Sequence, residues 1–396
     1  MLFRDKMQQE LDAKSSEFKS FLAGLVEDVD FYVRTIAELE AMPYADLETR
    51  MGSEVNFGAM PAVEIGACRS FARTFEVKWQ NHEQARDWAL SVLNGRTTFA
   101  ADGSQIYAAK KTSVPVAAIQ VGWFENPHDP TAPYKKGASF ELLTPDVLFR
   151  DQEDPMNPDI RVEERRYLGE VARIGQFLNE QKGWRERGER MPLAFFDNPL
   201  LVPFSQKGLQ NSFLNATVEL VKLSRESQVP LVGYVDRSFS RDLISLLDKF
   251  GGRTKQANSG LYDAALLLRA GEAAWGNRTC YFYSRRRGLE AFEDPETGVS
   301  SVGFCYLQTA ADTAPARLDV PGWVYESGLL EETVDVVRAE CIVGLGYPYA
   351  LESADHAAVI SIADREAFFR ALQEFASREK LDFSVSRKDE SKQRRR

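Results

Sequence analysis

Apolar residues recur at three- and four-residue steps along the first stretch of the chain: Leu11, Phe18, Leu22, Leu25, Val29, Tyr32, Ile36 and Leu39. Only Gly24 interrupts about the first 42 residues, so this spacing predicts one or two amphipathic helices. Their apolar stripe would face the body of the protein or a second subunit. Pro43, Gly52, Gly58, Pro61 and Gly66 break residues 43–80, and a helix is expected over 81–93, stopping at Asn94-Gly95. The period then changes. Thr97–Lys111 and Val114–Phe124 are rich in β-branched, aromatic and small apolar residues and predict two strands, turning at Lys110 to Ser113, with a third at Ser139–Phe149. A long helix is expected over Val162–Gln181, with Tyr167, Val171, Ile174, Phe177 and Leu178 on one face. There follow a strand at Leu193–Phe196, a helix at Leu214–Ser227, an almost wholly apolar strand at Pro230–Val235 and a helix at Arg241–Phe250. Further on, Arg278–Ser284, Val302–Gln308 and Thr333–Val343 read as strands and Arg365–Phe375 as a closing helix.

Three strands followed by alternating helix and strand suit an α/β fold: a mixed sheet flanked by helices on the ribonuclease H-like plan, with a helical N-terminal extension. Neither a repeat nor a free linker is visible. The expected organisation is a helical region over 1–94, one elaborated core over 95–383, and a disordered charged tail over 384–396.

Charge alters this picture in one respect. Lys and Arg number 49 against 59 Asp and Glu, a balance that argues against coating nucleic acid by bulk electrostatics, so any basic groups would have to gather locally. Cys68, Cys280, Cys305 and Cys341 are widely spaced and read as reduced, mostly buried thiols, not as a disulfide frame or zinc site. The three histidines, His82, His128 and His356, are too few for a histidine-rich metal centre. Met1 to Lys6 lacks a signal-peptide core, and no run reaches the roughly 20 apolar residues of a membrane span. A soluble, cytoplasmic protein with no membrane partner is expected.

The candidate chemistry lies where apolar strands end in carboxylates. Thr97–Ala101 runs into Asp102-Gly103-Ser104, and Pro192–Phe196 runs into Asp197-Asn198-Pro199. Glu163, Glu164 and Glu170 fall on the helix between them, and Gly346-Tyr347-Pro348 and His356 come far downstream. Carboxylates at neighbouring strand ends, joined by one from a helix, make an oxygen-rich pocket for Mg²⁺ or Mn²⁺ in phosphodiester cleavage. Each residue also has a plainer reading. Asp102-Gly103 is good hairpin chemistry, Asp-Asn-Pro is good turn chemistry, a helix glutamate is usually solvated, and His356 could be an ordinary partly buried histidine. The catalytic reading requires the first strand to continue past Gly103.

Together these segments resemble the NurA nucleases, prokaryotic DNA-end-processing enzymes that work with the hexameric ATPase HerA. The resemblance runs in order from about residue 95 to 376. It implies that Asp102 and Asp197 are metal-binding aspartates, that Tyr347 and His356 are the C-terminal active-site pair, and that Glu170, or else Glu164, is the helix ligand. The implied metal set is Asp102, Glu170, Asp197 and His356. Mn²⁺ is favoured over Mg²⁺ by the imidazole in a carboxylate shell. Three departures stand out. Asn198-Pro199-Leu200 follows Asp197 where the family usually has Gly-Ser-Leu, Asp355 lengthens the interval from Tyr347 to His356, and Asp236-Arg237 stands where a basic residue is expected. The implied function is a homodimeric, metal-dependent DNase with 5′–3′ exonuclease and single-strand endonuclease activity, acting with HerA in DNA-end resection. The alternative is a docking subunit for the ATPase with little cleavage of its own; a ribonuclease or phosphatase on a similar fold is a third reading. Lys110, Lys111, Arg237, Arg241 and Arg285-Arg286-Arg287 are the candidate DNA contacts, while Arg394-Arg395-Arg396 reads as tail.

Overall fold

The N-terminal apolar stripe folds as helices α1 (Arg4–Ala13) and α2 (Ser15–Ala41), and the stripe divides along its length. Leu25, Tyr32, Ile36 and Leu39 are buried, whereas Leu11, Phe18 and Leu22 are exposed. The computed structural model describes residues 3–51, 57–68, 70–108, 114–149, 158–201, 210–254, 260–271, 274–286, 288–293, 299–310 and 313–382. Its contacts divide the chain into two compact units, Met1–Lys78 with Tyr234–Glu326, and Trp79–Gly233 with Ser327–Arg396.

In the first unit, α2 is followed by α3 (Tyr44–Met51), β1 (Gly58–Pro61), α4 (Glu64–Cys68) and β2 (Ala72–Arg73). The second unit opens with α5 (His82–Leu93), whose Asn81 side chain caps it by accepting from the Gln84 N–H. Strands β3 (Thr98–Ile106), β4 (Ala117–Asn126) and β5 (Lys135–Leu143) form an antiparallel meander, followed by α6 (Pro145–Leu148) and α7 (Pro158–Gln181). Next come β6 (Leu193–Phe196), α8 (Gln210–Ser227) and β7 (Leu231–Val235). β3 pairs parallel to β6, and β6 parallel to β7. The order β5-β4-β3-β6-β7 is the mixed, ribonuclease H-like sheet expected from the sequence. The chain returns to the first unit with α9 (Asp242–Phe250), α10 (Asp263–Ala270), β8 (Arg278–Thr279), β9 (Phe282–Arg285), a 3₁₀ turn at Glu290–Phe292, β10 (Val302–Leu307), β11 (Ala316–Pro321) and α11 (Gly322–Glu326). The second unit ends with α12 (Leu330–Val343), α13 (Tyr349–Ala358) and α14 (Ile362–Arg378).

Successive β3 residues point to opposite faces of the sheet, and each face finds its own helices. Phe99 stacks on Phe177 of α7 with ring centroids 4.5 Å apart. On the other face, the Thr98 hydroxyl donates to Glu340 of α12 at 2.7 Å. Glu340 is fully buried, and its second oxygen accepts from the Ala350 N–H at 2.9 Å, tying the start of α13 to the sheet. A separate core in the first unit gathers Leu25, Tyr32 and Ile36 of α2 with Leu243, Leu247, Phe282 and Phe304.

Several expectations need correction. Thr333–Val343 is helix, not strand. Its β-branched residues suggested a strand, but Leu330, Val334, Val337 and Cys341 follow helical spacing and are buried, and Arg338 pairs with Asp335 one turn back. The third strand lies earlier than Ser139–Phe149, because Pro145 opens α6. Arg278–Ser284 is two short strands, β8 and β9. Strand β11 and helices α10, α11 and α13 were not anticipated. The turn at 110–113 and the tail over 384–396 lie outside the described residues.

Candidate active site

β3 runs unbroken through Asp102-Gly103 to Ile106, so these residues do not turn a hairpin. β6 ends at Phe196, which is level with Ala101, and this parallel register brings the next pair, Asp102 and Asp197, side by side where β6 ends and β3 runs on. The Tyr347 hydroxyl, just ahead of α13, donates to Asp197 Oδ1 at 2.9 Å. Asp102 Oδ1 accepts from the Gly103 N–H at 2.8 Å. From α7 comes Glu170, 1% exposed, whose Oε1 accepts from Arg166 Nη1 and whose Oε2 accepts from Asn198 Nδ2 at 3.4 Å. Arg166 Nη2 also donates to Glu163 Oε2 at 3.1 Å.

Negative charge is in excess where β6 ends beside Asp102. Burial, followed by the charges of Asp197 and Asp355, pushes the Asp102 carboxyl up to about 6, against the opposing pull of the Gly103 N–H and of Arg166. Burial pushes Glu170 up to about 8; Arg166 opposes that rise, while Asp102 and Asp197 add to it. One guanidinium thus serves several carboxylates.

Two glycines set the approach of the helices. A Cβ on Gly103 would collide with Glu170 Oε1 and lie 2.6 Å from Arg166 Cγ, so the missing side chain makes room for α7. Gly122 of β4 stands level with Asp102, and a Cβ there would collide with the Ala358 nitrogen and lie 2.5 Å from the Ala357 carbonyl carbon. The last turn of α13 therefore rests directly on the β4 backbone. Gln120 Nε2, on the same strand face, donates to the Ala358 carbonyl at 3.1 Å.

The structure brings Asp102, Asp197, Glu170 and Tyr347 together. Glu164 goes elsewhere: it is buried and paired with Arg161 at 2.5 Å. His356 lies on α13 after Asp355, and both are exposed. Arg166 stands one helical turn before Glu170, a spacing visible in the sequence, and pairs with it. Sequence reasoning missed Asn198 as the second donor to Glu170, Asp355 as a charge felt by Asp102, and Gly122. Arg237 is exposed, while Lys110, Lys111, Arg287 and Arg394 to Arg396 lie outside the described residues.

The donors suit a hard divalent cation in kind, since Asp102, Glu170 and Asp197 offer carboxylate oxygens whose mutual repulsion a cation would relieve. Among the described residues, no three carboxylate, imidazole or thiol groups already stand arranged to enclose an ion. Arg166 holds Glu170 instead.

A ribonuclease H-like sheet with one aspartate within a strand and a second just past the end of its parallel neighbour, backed by a helix glutamate, places the chain in a general class of α/β proteins with a carboxylate centre. The particular family follows from the sequence: a NurA domain matches residues 96–360, well over half of the chain, and the chain belongs to the NurA family. No curated protein matches the chain. Among solved structures it is similar to NurA with manganese (10% identity, TM-score 0.37, covering 74% of this chain and 93% of that one). It is also similar to NurA bound to dAMP and manganese (10%, 0.37, 74% and 92%) and to endonuclease V of Bacillus subtilis (12%, 0.32, 78% and 97%). At such scores these likenesses add nothing to the family match. Among the described residues, no helix is long and apolar enough to cross a membrane.

Proposed function

We propose that this NurA-family protein is a divalent-metal-dependent deoxyribonuclease, a 5′–3′ exonuclease and single-strand endonuclease. In this reading it works in DNA-end resection and double-strand-break repair as a homodimer beside a HerA-type ATPase. The observation that carries the proposal is the excess of negative charge where Asp102 and Asp197 stand side by side at the end of β6 with Glu170 behind them. Asp102, Asp197 and Glu170 would hold Mn²⁺, or Mg²⁺, with His356 as a further ligand. The bound metal would supply Lewis-acid stabilisation of the phosphate and an activated water. Tyr347, hydrogen-bonded to Asp197, fixes that carboxylate and offers its hydroxyl to position a phosphate oxygen. His356, exposed on α13, would orient water or give a proton to the leaving 3′-oxygen. Arg166 neutralises Glu170 and has further N–H groups for phosphate.

The test is cleavage of a labelled single-stranded DNA with Mn²⁺, beside an RNA of the same sequence. Metal-dependent cutting of DNA is expected; preferential cutting of RNA, or cutting that survives chelation, would sink the proposal. One observation favours a second reading, a NurA-like docking subunit with little cleavage: Glu170 is held by Arg166 rather than open. A protein that stimulates the ATPase yet leaves DNA uncut in Mn²⁺ would support that alternative.

A further inference from the structure

In the first unit, the chain leaving β7 makes a short loop, Asp236-Arg237-Ser238-Phe239-Ser240-Arg241, before α9 begins. Within it, Phe239 is 70% exposed, the most exposed aromatic side chain among the described residues. An exposed phenyl ring on a loose loop would mean little, but this loop is anchored. Ser238 is buried and its hydroxyl accepts from the Ser240 N–H at 3.2 Å, while the Ser240 carbonyl accepts from the Asp263 N–H at 2.9 Å. The ring itself is braced edge-to-face on Tyr262, with centroids 4.9 Å apart and planes at 90°. The brace leaves a large ring surface open to solvent. Arg237, exposed, and Arg241, half-buried, lie two residues to either side; Asp236 opens the loop and Asp242 closes it from within the core.

We propose that Phe239 is a stacking platform for an unpaired nucleic-acid base, with Arg237 and Arg241 engaging the flanking phosphates. Every base presents a π-face to a fixed ring, so such a platform binds single strands with little regard to sequence, and arginines beside it follow the backbone. A duplex hides those faces in its own stack, so the element favours single over double strands. The inference rests on the nucleic-acid reading above, and deepens it by naming the residue that receives an unpaired base.

The test uses the full chain in EDTA, so that nothing is cut, with fluorescence anisotropy of labelled oligo(dT), a duplex of equal length and an abasic strand of equal length. Phe239→Ala is expected to weaken oligo(dT) binding by about tenfold, the range of one base–aromatic stack. Phe239→Trp is expected to keep or tighten it. On the abasic strand the wild type and Phe239→Ala should bind alike, and both should unfold at the same temperature because the ring is exposed. Arg237→Gln should weaken all three probes and lower the salt dependence. Equal affinity of wild type and Phe239→Ala for oligo(dT) overturns the proposal. So does a loss that persists on the abasic strand, or a change in oligomeric mass in Phe239→Ala with oligo(dT) binding intact, which would assign the ring to a protein contact. A wild type that binds none of the three probes overturns the nucleic-acid reading itself, and this inference with it.

Discussion

Each unit holds a group of aspartates around an arginine, and the two groups are built to opposite ends. In the first unit, Arg317 is fully buried, donates to Asp319 Oδ1 and Asp242 Oδ2 at 2.7 Å each, and lies 3.9 Å over the Phe304 ring. Asp263, wholly buried, accepts from the N–H groups of Leu243 and Ile244 and from the Tyr306 hydroxyl, each at 3.0 Å, which caps α9. Burial and the neighbouring Asp242 push Asp263 up to about 7. Each carboxylate there is enclosed and committed to protein donors. In the second unit, Asp197 is exposed, Asp102 lies half-buried beside it within β3, and only Glu170 is sealed in. The residue types are nearly the same. What separates a structural network from a candidate centre is access to solvent.

The comparison can be broken most sharply at Asp102. Asp102→Ala or Asp197→Ala should cut Mn²⁺-dependent cleavage at least about a thousandfold, near 4 kcal/mol of barrier. The metal-free melting temperature should hold or rise, because one repelling charge is gone. Near-normal cleavage by Asp102→Ala would remove the aspartate from the site. The opposite is expected of Arg317→Met, which strands Asp242 and Asp319 in the core. Stability should fall by about 3–5 kcal/mol in urea titration, with activity per folded molecule unchanged. A variant as stable as wild type would show that the network is not what holds the first unit's core.

Gly103→Ala should cost about 1–3 kcal/mol by forcing Glu170 and Arg166 aside, and should reduce metal affinity measured by calorimetry. Unaltered affinity would separate Glu170 from the metal set. The gentlest test is pH. An acid held above its unfolded value binds a proton in the native state that the unfolded chain has already released. The stability due to Glu170 is therefore full below about pH 4, the unfolded range, and is lost as pH rises through about 8. Melting temperatures taken in EDTA should fall across that window, and Glu170→Gln should flatten the slope. An equal slope in the variant would place the titration elsewhere.

Much of the second unit was legible because its strands are apolar runs with clear ends. Leu193–Phe196 matches its predicted bounds, and the end of that strand was what marked Asp197. Asp102 was ambiguous only because Asp-Gly serves both a turn and a close approach. The register with β4 and β6, a matter of distant partners, decided it. Glu170 against Glu164 turned on helix rotation, which the local pattern left open. β11 was invisible for a physical reason: Arg317 and Asp319 interrupt its apolar pattern, yet they share a strand face and neutralise each other inside the core. The helix over 330–343 was misread because valine and threonine favour strands in isolation, while the tertiary setting asked only for a buried face every third or fourth residue. Gly122 came to light through packing alone.

Gly122 bears on how the site keeps its dimensions. At Gly122 no side chain stands between β4 and the last turn of α13, so the spacing at that point is set by backbone against backbone rather than by rotamers that hop. Asp355 and His356, with Tyr347 just ahead, are thus carried on or beside a helix whose far end is gauged against the same rung of the sheet that bears Asp102. A site mounted this way has a mechanical tolerance close to that of the peptide unit itself, and heating should loosen its surface loops well before it changes the distance from that helix to the aspartate.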